Sequence, residues 1–165
     1  MKRNLPMRFL TLSIFIAVSV TECVAKEWRG IIPLKSTRAD VEKLLGANEK
    51  RDIVTYHLDD STVLIWYSRG PCSLLPSPEW NVPQWTVTSV HVFLKEAVEL
   101  SSHSFDLRKF HKVPGDSDLP DHFYYVNKEE GFGVEVQNHQ DSGREAVIGY
   151  LYGPTWKDRN LRCKK

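Results

Sequence analysis

The sequence predicts an α+β domain in which one or two short helices pack on one face of an antiparallel β-sheet. Three observations predict it: a short amphipathic helix pattern near the start, a series of β-branched and aromatic runs separated by polar turns, and a similar order of runs in the second half. With 165 residues, 41% of them hydrophobic and 26% charged, the chain has the composition of one globular domain.

The start of the chain is expected to be removed on export. A basic stretch is followed by an apolar run over residues 9–20, and then by the small residues Cys23 and Ala25. This arrangement is typical of a secretory signal peptide cleaved after Ala25, which leaves 26–165 as the exported domain. Lipidation of Cys23 is an alternative, but Glu22 stands where the lipoprotein peptidase normally needs a small residue. The apolar run is too short to cross a bilayer, which takes about 20 residues, so we expect a periplasmic or secreted protein without a transmembrane segment.

The clearest local pattern is a short amphipathic helix within residues 35–46. Thr37 is placed to cap its first turn, and Asp40 to complement the free amides there. Gly46 can end the helix in a left-handed conformation. The apolar positions of one helix face are Val41, Leu44 and Leu45. We expect this face to pack against the sheet.

Three strands are predicted after the helix, over residues 53–58, 62–68 and 86–94, because these runs are rich in β-branched and aromatic residues. The polar residues 59–61 join the first two strands as a hairpin. The connection to the third strand, 69–85, is long and rich in proline. Loops of this length often have a function.

The second half of the chain repeats this plan with strands at 123–126, 132–137 and 146–152. A turn at 127–131 joins the first two, and residues 105–110 can form a short helix capped by Ser104. We therefore expect two tandem helix-plus-three-strand units, 30–95 and 103–155. A chance similarity between antiparallel strands is the alternative.

The candidate contact residues are aromatic. Trp80 and Trp85 lie in the 69–85 loop, and aromatic side chains on a loop held by a rigid scaffold are frequent anchors of protein interfaces. The alternative is that one or both cover the end of the sheet core. Tyr67 alternates with Trp66 along its strand, so one of the two faces inward and the other outward. An outward Tyr67, with Tyr125 or Tyr150, gives an aromatic sheet face, and the alternative is that the helix covers this face.

Cys72 and Cys163 are the cysteines left after cleavage, and in an oxidising compartment we expect them to form a disulfide. The bond ties the C-terminal tail to the 69–85 loop. The basic ending 157–165 is interpreted as a solvated tail held by Cys163. Two alternatives are a reactive thiol at Cys72, which no neighbouring histidine supports, and unpaired or intermolecular cysteines.

Charge and motifs exclude several classes of function. The 22 Lys and Arg are balanced by 21 Asp and Glu, so no nucleic-acid partner is indicated. The common local signatures of hydrolases and of phosphate-binding loops are missing from the sequence. The six histidines are scattered singly, so we expect no metal site and no cofactor. The acidic residues within 116–121 lack the glycine and the final glutamate of the common calcium loop.

Two segments of the chain resemble a group of small exported bacterial proteins of no assigned function. The first is Gly-Ile-Ile-Pro-Leu-Lys-Ser-Thr-Arg-Ala-Asp-Val-Glu-Lys-Leu-Leu-Gly at 30–46, followed by Tyr56, and the second is the ending 152–163. More distantly, Ser/Thr-x-x-Asp-Val-x-x-Leu-Leu-Gly before three antiparallel strands is similar to the SmpA/OmlA (BamE) lipoprotein domain. Two such units in tandem are similar to β-lactamase-inhibitor-protein-like domains. The resemblance implies an antiparallel sheet with helices on one face, used for binding other proteins, and it supplies no catalytic residues.

These observations favour an exported, non-enzymatic binding module. We expect its partner to be another protein of the cell envelope or the extracellular space. The contact residues predicted from the sequence are Trp80, Trp85 and Tyr67.

The alternative is a small-ligand-binding protein or a hydrolase-type enzyme, with a site between the 69–85 loop and the 103–122 linker. Its candidate residues are His103, His111 and Asp121. A polar pocket with converging titratable groups favours this alternative, whereas a flat or concave aromatic face favours the binding module.

Overall fold

The computed structural model describes residues 25–73, 80–115, 121–139 and 143–164. The predicted signal peptide lies outside these residues apart from Ala25, and so does the alternative lipidation site Cys23. Most of the acidic segment 116–121 is also outside them. Within the described part of the chain, no helix has both the length and the apolar character needed to cross a membrane.

The described fold consists of a helix and seven strands. In chain order these are α1 (Arg38–Leu45), β1 (Ile53–His57), β2 (Ser61–Tyr67), β3 (Val87–Glu99), β4 (His111–Pro114), β5 (His122–Asn127), β6 (Phe132–His139) and β7 (Arg144–Tyr152). The strands form one sheet in the order β1-β2-β3-β7-β6-β5-β4, and every neighbouring pair is antiparallel. The predicted antiparallel sheet is therefore confirmed.

Helix α1 begins where the sequence places its cap. The Thr37 amide and hydroxyl both donate to Asp40 Oδ2, at 2.8 and 2.7 Å, and these hydrogen bonds hold the pKa of Asp40 below its ordinary value. Val41 is fully buried in the same cluster as side chains from β1 to β3. Leu44, predicted on the buried face, is instead 53% exposed. The inward face of the helix instead includes Arg38, which is buried one turn before Val41, and the half-buried Leu45.

Two antiparallel meanders make up most of the sheet. Strands β1, β2 and β3 form the first, β5, β6 and β7 form the second, and the two meet where β3 pairs with β7. At this junction Val92 lies opposite Tyr150. The duplication expected from the sequence stays a prediction.

The two faces of the sheet differ in what they carry. One face, which we call the core face, bears two clusters of buried apolar side chains, one in each meander. The first contains Trp28, Ile31, Val41, Val54, Tyr56, Val63, Ile65, Tyr67, Val87, Val90 and Val92. The second contains Leu100, Phe123, Phe132, Val134, Val136 and Val147. The opposite face, which we call the groove face, bears the alternate residues of the same strands, among them His91, Tyr124, Gly133, Glu135 and Leu151.

Two parts of the fold differ from the prediction. Residues 105–110, predicted as a helix, contain only a 3₁₀ turn at Leu107–Lys109. Phe105 and Phe110 both pack on Phe132, with ring centroids 5.9 and 6.2 Å away, and we attribute the short turn to this double contact. The edge strand β4, which follows, was not predicted.

Candidate binding groove

A groove with a volume of about 600 Å³ lies on the groove face. Its floor is formed by Tyr124, Val126, Gly133 and Leu151 from β5, β6 and β7. Because Gly133 has no side chain between Val126 and Leu151, the floor is concave there. One wall comes from the C-terminal segment 153–162, and Trp80 adds to it. The volume is in the range of known ligand sites, roughly 300 to 1,000 Å³.

The C-terminal wall forms an ordered turn, although most of its side chains are exposed as predicted for the basic ending. The Thr155 amide and hydroxyl donate to Asp158 Oδ2, both at 2.7 Å, which caps a 3₁₀ turn over Trp156–Leu161. The Trp156 amide donates to the Lys128 carbonyl oxygen at 2.9 Å. The turn is therefore joined to the connection between β5 and β6.

A disulfide fixes the far end of this wall. Cys72 and Cys163, the pair that the sequence predicts, are bonded, with their Cα atoms 5.4 Å apart. Beside the bond, Trp80 and Arg162 form an isolated antiparallel bridge. The loop after β2 and the end of the chain thus meet at one edge of the groove.

Two tryptophan–arginine stacks line the groove. The Arg159 guanidinium lies 5.5 Å from the centre of the Trp156 ring, and that of Arg162 lies 5.1 Å from the centre of the Trp80 ring. Lys128 adds a third cation to the lining. Among the described residues that line the groove none is Asp or Glu, and no described carboxylate forms a salt bridge with these three cations. The lining is therefore apolar and positively charged.

A buried carboxylate lies on the same face of the sheet, next to the groove floor. Glu135 accepts hydrogen bonds from His91 Nε2 at 2.5 Å and from His122 Nε2 at 2.6 Å. The Tyr124 hydroxyl, which belongs to the groove floor, donates to the same carboxylate at 3.3 Å. Burial alone raises the pKa of Glu135, but the hydrogen bonds and charges of the two imidazoles outweigh burial and hold this pKa below its ordinary value. Glu135 is therefore a buried anion.

The contact between His91 and Glu135 crosses strand β7, and Gly149 makes room for it. A Cβ atom at position 149 would lie 2.7 Å from Glu135 Oε2 and 2.7 Å from the Val92 carbonyl oxygen. Since neither distance is tolerable, any larger residue at 149 would displace the carboxylate. The part of the chain that the structure describes holds no group of three or more His, Cys, Asp or Glu side chains arranged to bind a metal ion.

A second hollow of about 540 Å³ lies near the linker between the meanders. It is lined by His103 together with charged side chains that include Glu99 and Arg144, which form a salt bridge at 2.9 Å. His111 and Asp121, the other candidates for a ligand or catalytic site, are exposed and do not line it. The structure thus does not bring the three candidates together in this hollow.

Of the three predicted contact residues, only Trp80 lines the groove. Tyr67 is buried on the core face and not directed outward as expected, and its ring meets that of Trp85 edge to face at 6.4 Å. The Arg38 guanidinium lies over both rings, 5.3 Å from Tyr67 and 5.2 Å from Trp85. Tyr67 and Trp85 are therefore packing residues of the first meander, which is the alternative that the sequence left open for Trp85.

Sequence reasoning missed Trp156, Arg159 and Arg162. A local signal was present, because Thr155-x-x-Asp158 is the spacing of a capping box and predicts a helical turn that places residues 156 and 159 on one side.

Comparisons with known proteins leave the family open. No family model matches the chain, and no curated protein matches it. A solved structure similar to it is the crystal structure of a DUF4309 family protein (YjgB) from Bacillus subtilis subsp. subtilis str. 168, with 13% identity and a TM-score of 0.49, covering 77% of this chain and 84% of that chain. A similarity of this size assigns neither a family nor a function.

Proposed function

We propose that this protein is an exported, non-enzymatic module that binds a segment of another protein in the groove. The observation that carries the proposal is the composition of the lining: two tryptophans, a tyrosine and two arginines around an apolar floor. Trp, Tyr and Arg are the residue types most enriched among those that dominate the energy of protein interfaces.

The two faces of the sheet support a division of roles. We infer that helix α1 packs on the core face, since Val41 is fully buried in the cluster formed by β1 to β3. The groove face then remains for a partner. Trp156 is the lining residue best placed for contact, because 46% of its surface is exposed in the free protein.

Photo-crosslinking in cells that express the protein tests this proposal. A photoreactive amino acid placed at position 156 should crosslink to a partner protein. The matched control has the same amino acid at position 44, since Leu44 is 53% exposed on α1 and lies on a different element. A partner captured from position 156 and not from position 44 is then purified for binding measurements.

In those measurements we expect Trp156→Ala to weaken binding by about 30-fold or more, as loss of an interface hot spot of about 2 kcal/mol does. Leu44→Ala should change the dissociation constant by less than about twofold. The free energy of unfolding of both variants should stay within about 0.5 kcal/mol of wild type, as for most surface substitutions. Equal crosslinking from both positions, or equal binding by both variants, would contradict the proposal.

A further inference from the structure

We propose that the segment held in the groove is acidic and apolar, with carboxylate side chains next to aliphatic or aromatic ones. This inference rests on the proposed function, because it specifies the chemistry of the protein segment that the groove binds.

The groove lining carries positive charge. Lys128, Arg159 and Arg162 line the groove, and no carboxylate is present among the described lining residues. The whole chain is almost neutral, with 22 basic and 21 acidic residues, so this positive charge is local to the groove. A complementary partner therefore carries negative charge where it meets the rim.

The two arginines each lie over a tryptophan ring. A guanidinium in a cation–π contact with an indole ring still has N–H donors free for other partners, and two of these can form parallel hydrogen bonds to one carboxylate. Packing against Trp156 and Trp80 restricts the arginine side chains before the partner arrives. Less conformational entropy is then lost on binding.

The two arginines are close in sequence and belong to the same wall of the groove. Arg159 lies within the 3₁₀ turn and Arg162 directly follows it, so the two are separated by one turn of the chain. Each guanidinium lies over a different indole ring of the same groove, and two such groups suit a segment with at least two carboxylates.

The groove floor determines which other side chains the bound segment carries. Val126 and Leu151 flank the space left by Gly133, and Tyr124 lies beside Glu135. An aliphatic or aromatic side chain removes this apolar surface from water, whereas a charged one is desolvated there without a partner. An acidic segment without apolar residues therefore leaves the floor uncovered.

Selection of random 12-residue peptides, displayed on phage, on the full disulfide-bonded protein tests the inference. We expect the recovered peptides to be enriched in Asp and Glu next to Leu, Ile, Phe or Trp. The best peptide is then synthesised and titrated against wild type and against Arg159→Ala/Arg162→Ala. The double variant should bind at least about tenfold more weakly, and so should wild type with a peptide whose acids are changed to amides.

Two controls separate this effect from total charge and from folding. Lys35→Ala/Lys43→Ala removes the same charge at exposed positions near and on α1, and should leave the affinity within about twofold. Arg159→Lys/Arg162→Lys keeps the charge but loses the paired donors, so its affinity should fall between those of wild type and the alanine variant. Urea denaturation of each variant checks its fold.

The outcomes separate this inference from the proposed function. Peptides that depend on Trp156 but show no acidic enrichment would overturn the inference and leave the proposed function standing. No peptide binding, or binding that neither Trp156→Ala nor the arginine variant weakens, would overturn both. If dodecanoate binds in an arginine-dependent way and no peptide does, the site takes an anionic amphiphile, which also overturns both.

Discussion

Glu135 is the residue on which the interior of the groove face depends most. Its carboxylate accepts from His91 and His122, and it is the shared acceptor that joins β3, β5 and β6. Only about 6% of its side chain is exposed, so water cannot replace a lost partner. A neutral amide in its place offers one acceptor to two imidazole donors.

We expect Glu135→Gln to lower the free energy of unfolding by about 2 to 4 kcal/mol, because it weakens two hydrogen bonds to a buried charged group and leaves one buried imidazole donor without an acceptor. Glu145→Gln is the matched control. Glu145 pairs with Lys112 at 3.2 Å on a more exposed part of the sheet, so its loss should cost about 1 kcal/mol or less. Urea denaturation measures both variants.

Wild type and Glu135→Gln, compared at several pH values, also test the pKa of Glu135. Because the folded state lowers this pKa below 4.5, the carboxylate contributes its stabilisation above about pH 4.5 and loses it as the pH falls through the folded-state value. The stability difference between wild type and Glu135→Gln should therefore narrow in acid. A difference that stays constant from pH 7 to pH 3 would show that the charge of Glu135 is not the cause.

No local sequence pattern predicts this cluster. His91, His122 and Glu135 come from three strands, and their meeting depends on the pairing of β7 between β3 and β6. The histidines appeared scattered because the sequence carries no direct information on register between distant strands. In the sequence, Gly149 indicates only a residue that lowers the stability of a strand. The structure shows that its missing side chain makes room for the Glu135 carboxylate.

Among the structural elements, the turn between β5 and β6 and the start of the groove wall are in close contact. The Gly153 amide donates to the Gly131 carbonyl oxygen at 2.7 Å. Gly131 has a φ of +61°, and a Cβ atom there would lie 2.1 Å from the Gly153 carbonyl oxygen. The close approach of these two backbones therefore requires a residue without a side chain at position 131.

Gly131→Ala and Gly143→Ala form a matched pair that isolates this contact. Gly143 has a φ of +64° but no atom within 4 Å of its Cβ position. Gly143→Ala therefore lowers the free energy of unfolding only by the strain of alanine in the left-handed conformation, about 1 to 2 kcal/mol. Gly131→Ala adds a collision with backbone, and we expect it to cost at least about 1 kcal/mol more. Thermal unfolding of both variants measures the difference, and equal losses would contradict the close approach.

The sequence predicts most strands, but not the C-terminal part of β3 or the edge strand β4. Runs such as 62–68 and 146–152 are rich in β-branched and aromatic residues, which favour strands through local sterics. Strand β3 continues to Glu99 through a charged stretch, with an irregular register between Phe93 and Val98, and no local preference predicts that. Strand β4 is short and contains Pro114, so its pairing with β5 comes from tertiary context.

For the whole molecule, the disulfide is the strongest single constraint we can test. It joins residues 91 positions apart, and the chain-entropy model assigns about 4 to 5 kcal/mol to closing such a loop. We expect Cys72→Ser/Cys163→Ser to lose stability of this order in urea denaturation. Wild type treated with reductant should match the variant, and alkylation of both thiols in unreduced, denatured wild type would contradict the bond.

The Cys72–Cys163 pair could be predicted because secreted proteins with two cysteines favour pairing them. The groove itself could not be predicted. It requires the end of the chain to lie across strands from the second meander and beside Trp80, and this arrangement depends on the complete sheet order. The basic ending is largely exposed and held by Cys163, as predicted, but the sequence did not predict that it forms an ordered turn along the groove.

The disulfide also bears on when the protein becomes able to bind. The far end of the wall that carries Arg159 and Arg162 is held by Cys163. Without the disulfide, the far end of this wall is held by non-covalent contacts alone, among them the Trp80–Arg162 bridge and the hydrogen bond from the Asn81 amide to the Leu161 carbonyl oxygen at 2.7 Å. If the protein is exported as we propose, oxidation after export completes the groove, and a chain still inside the cell is prevented from occupying its site with the wrong partner.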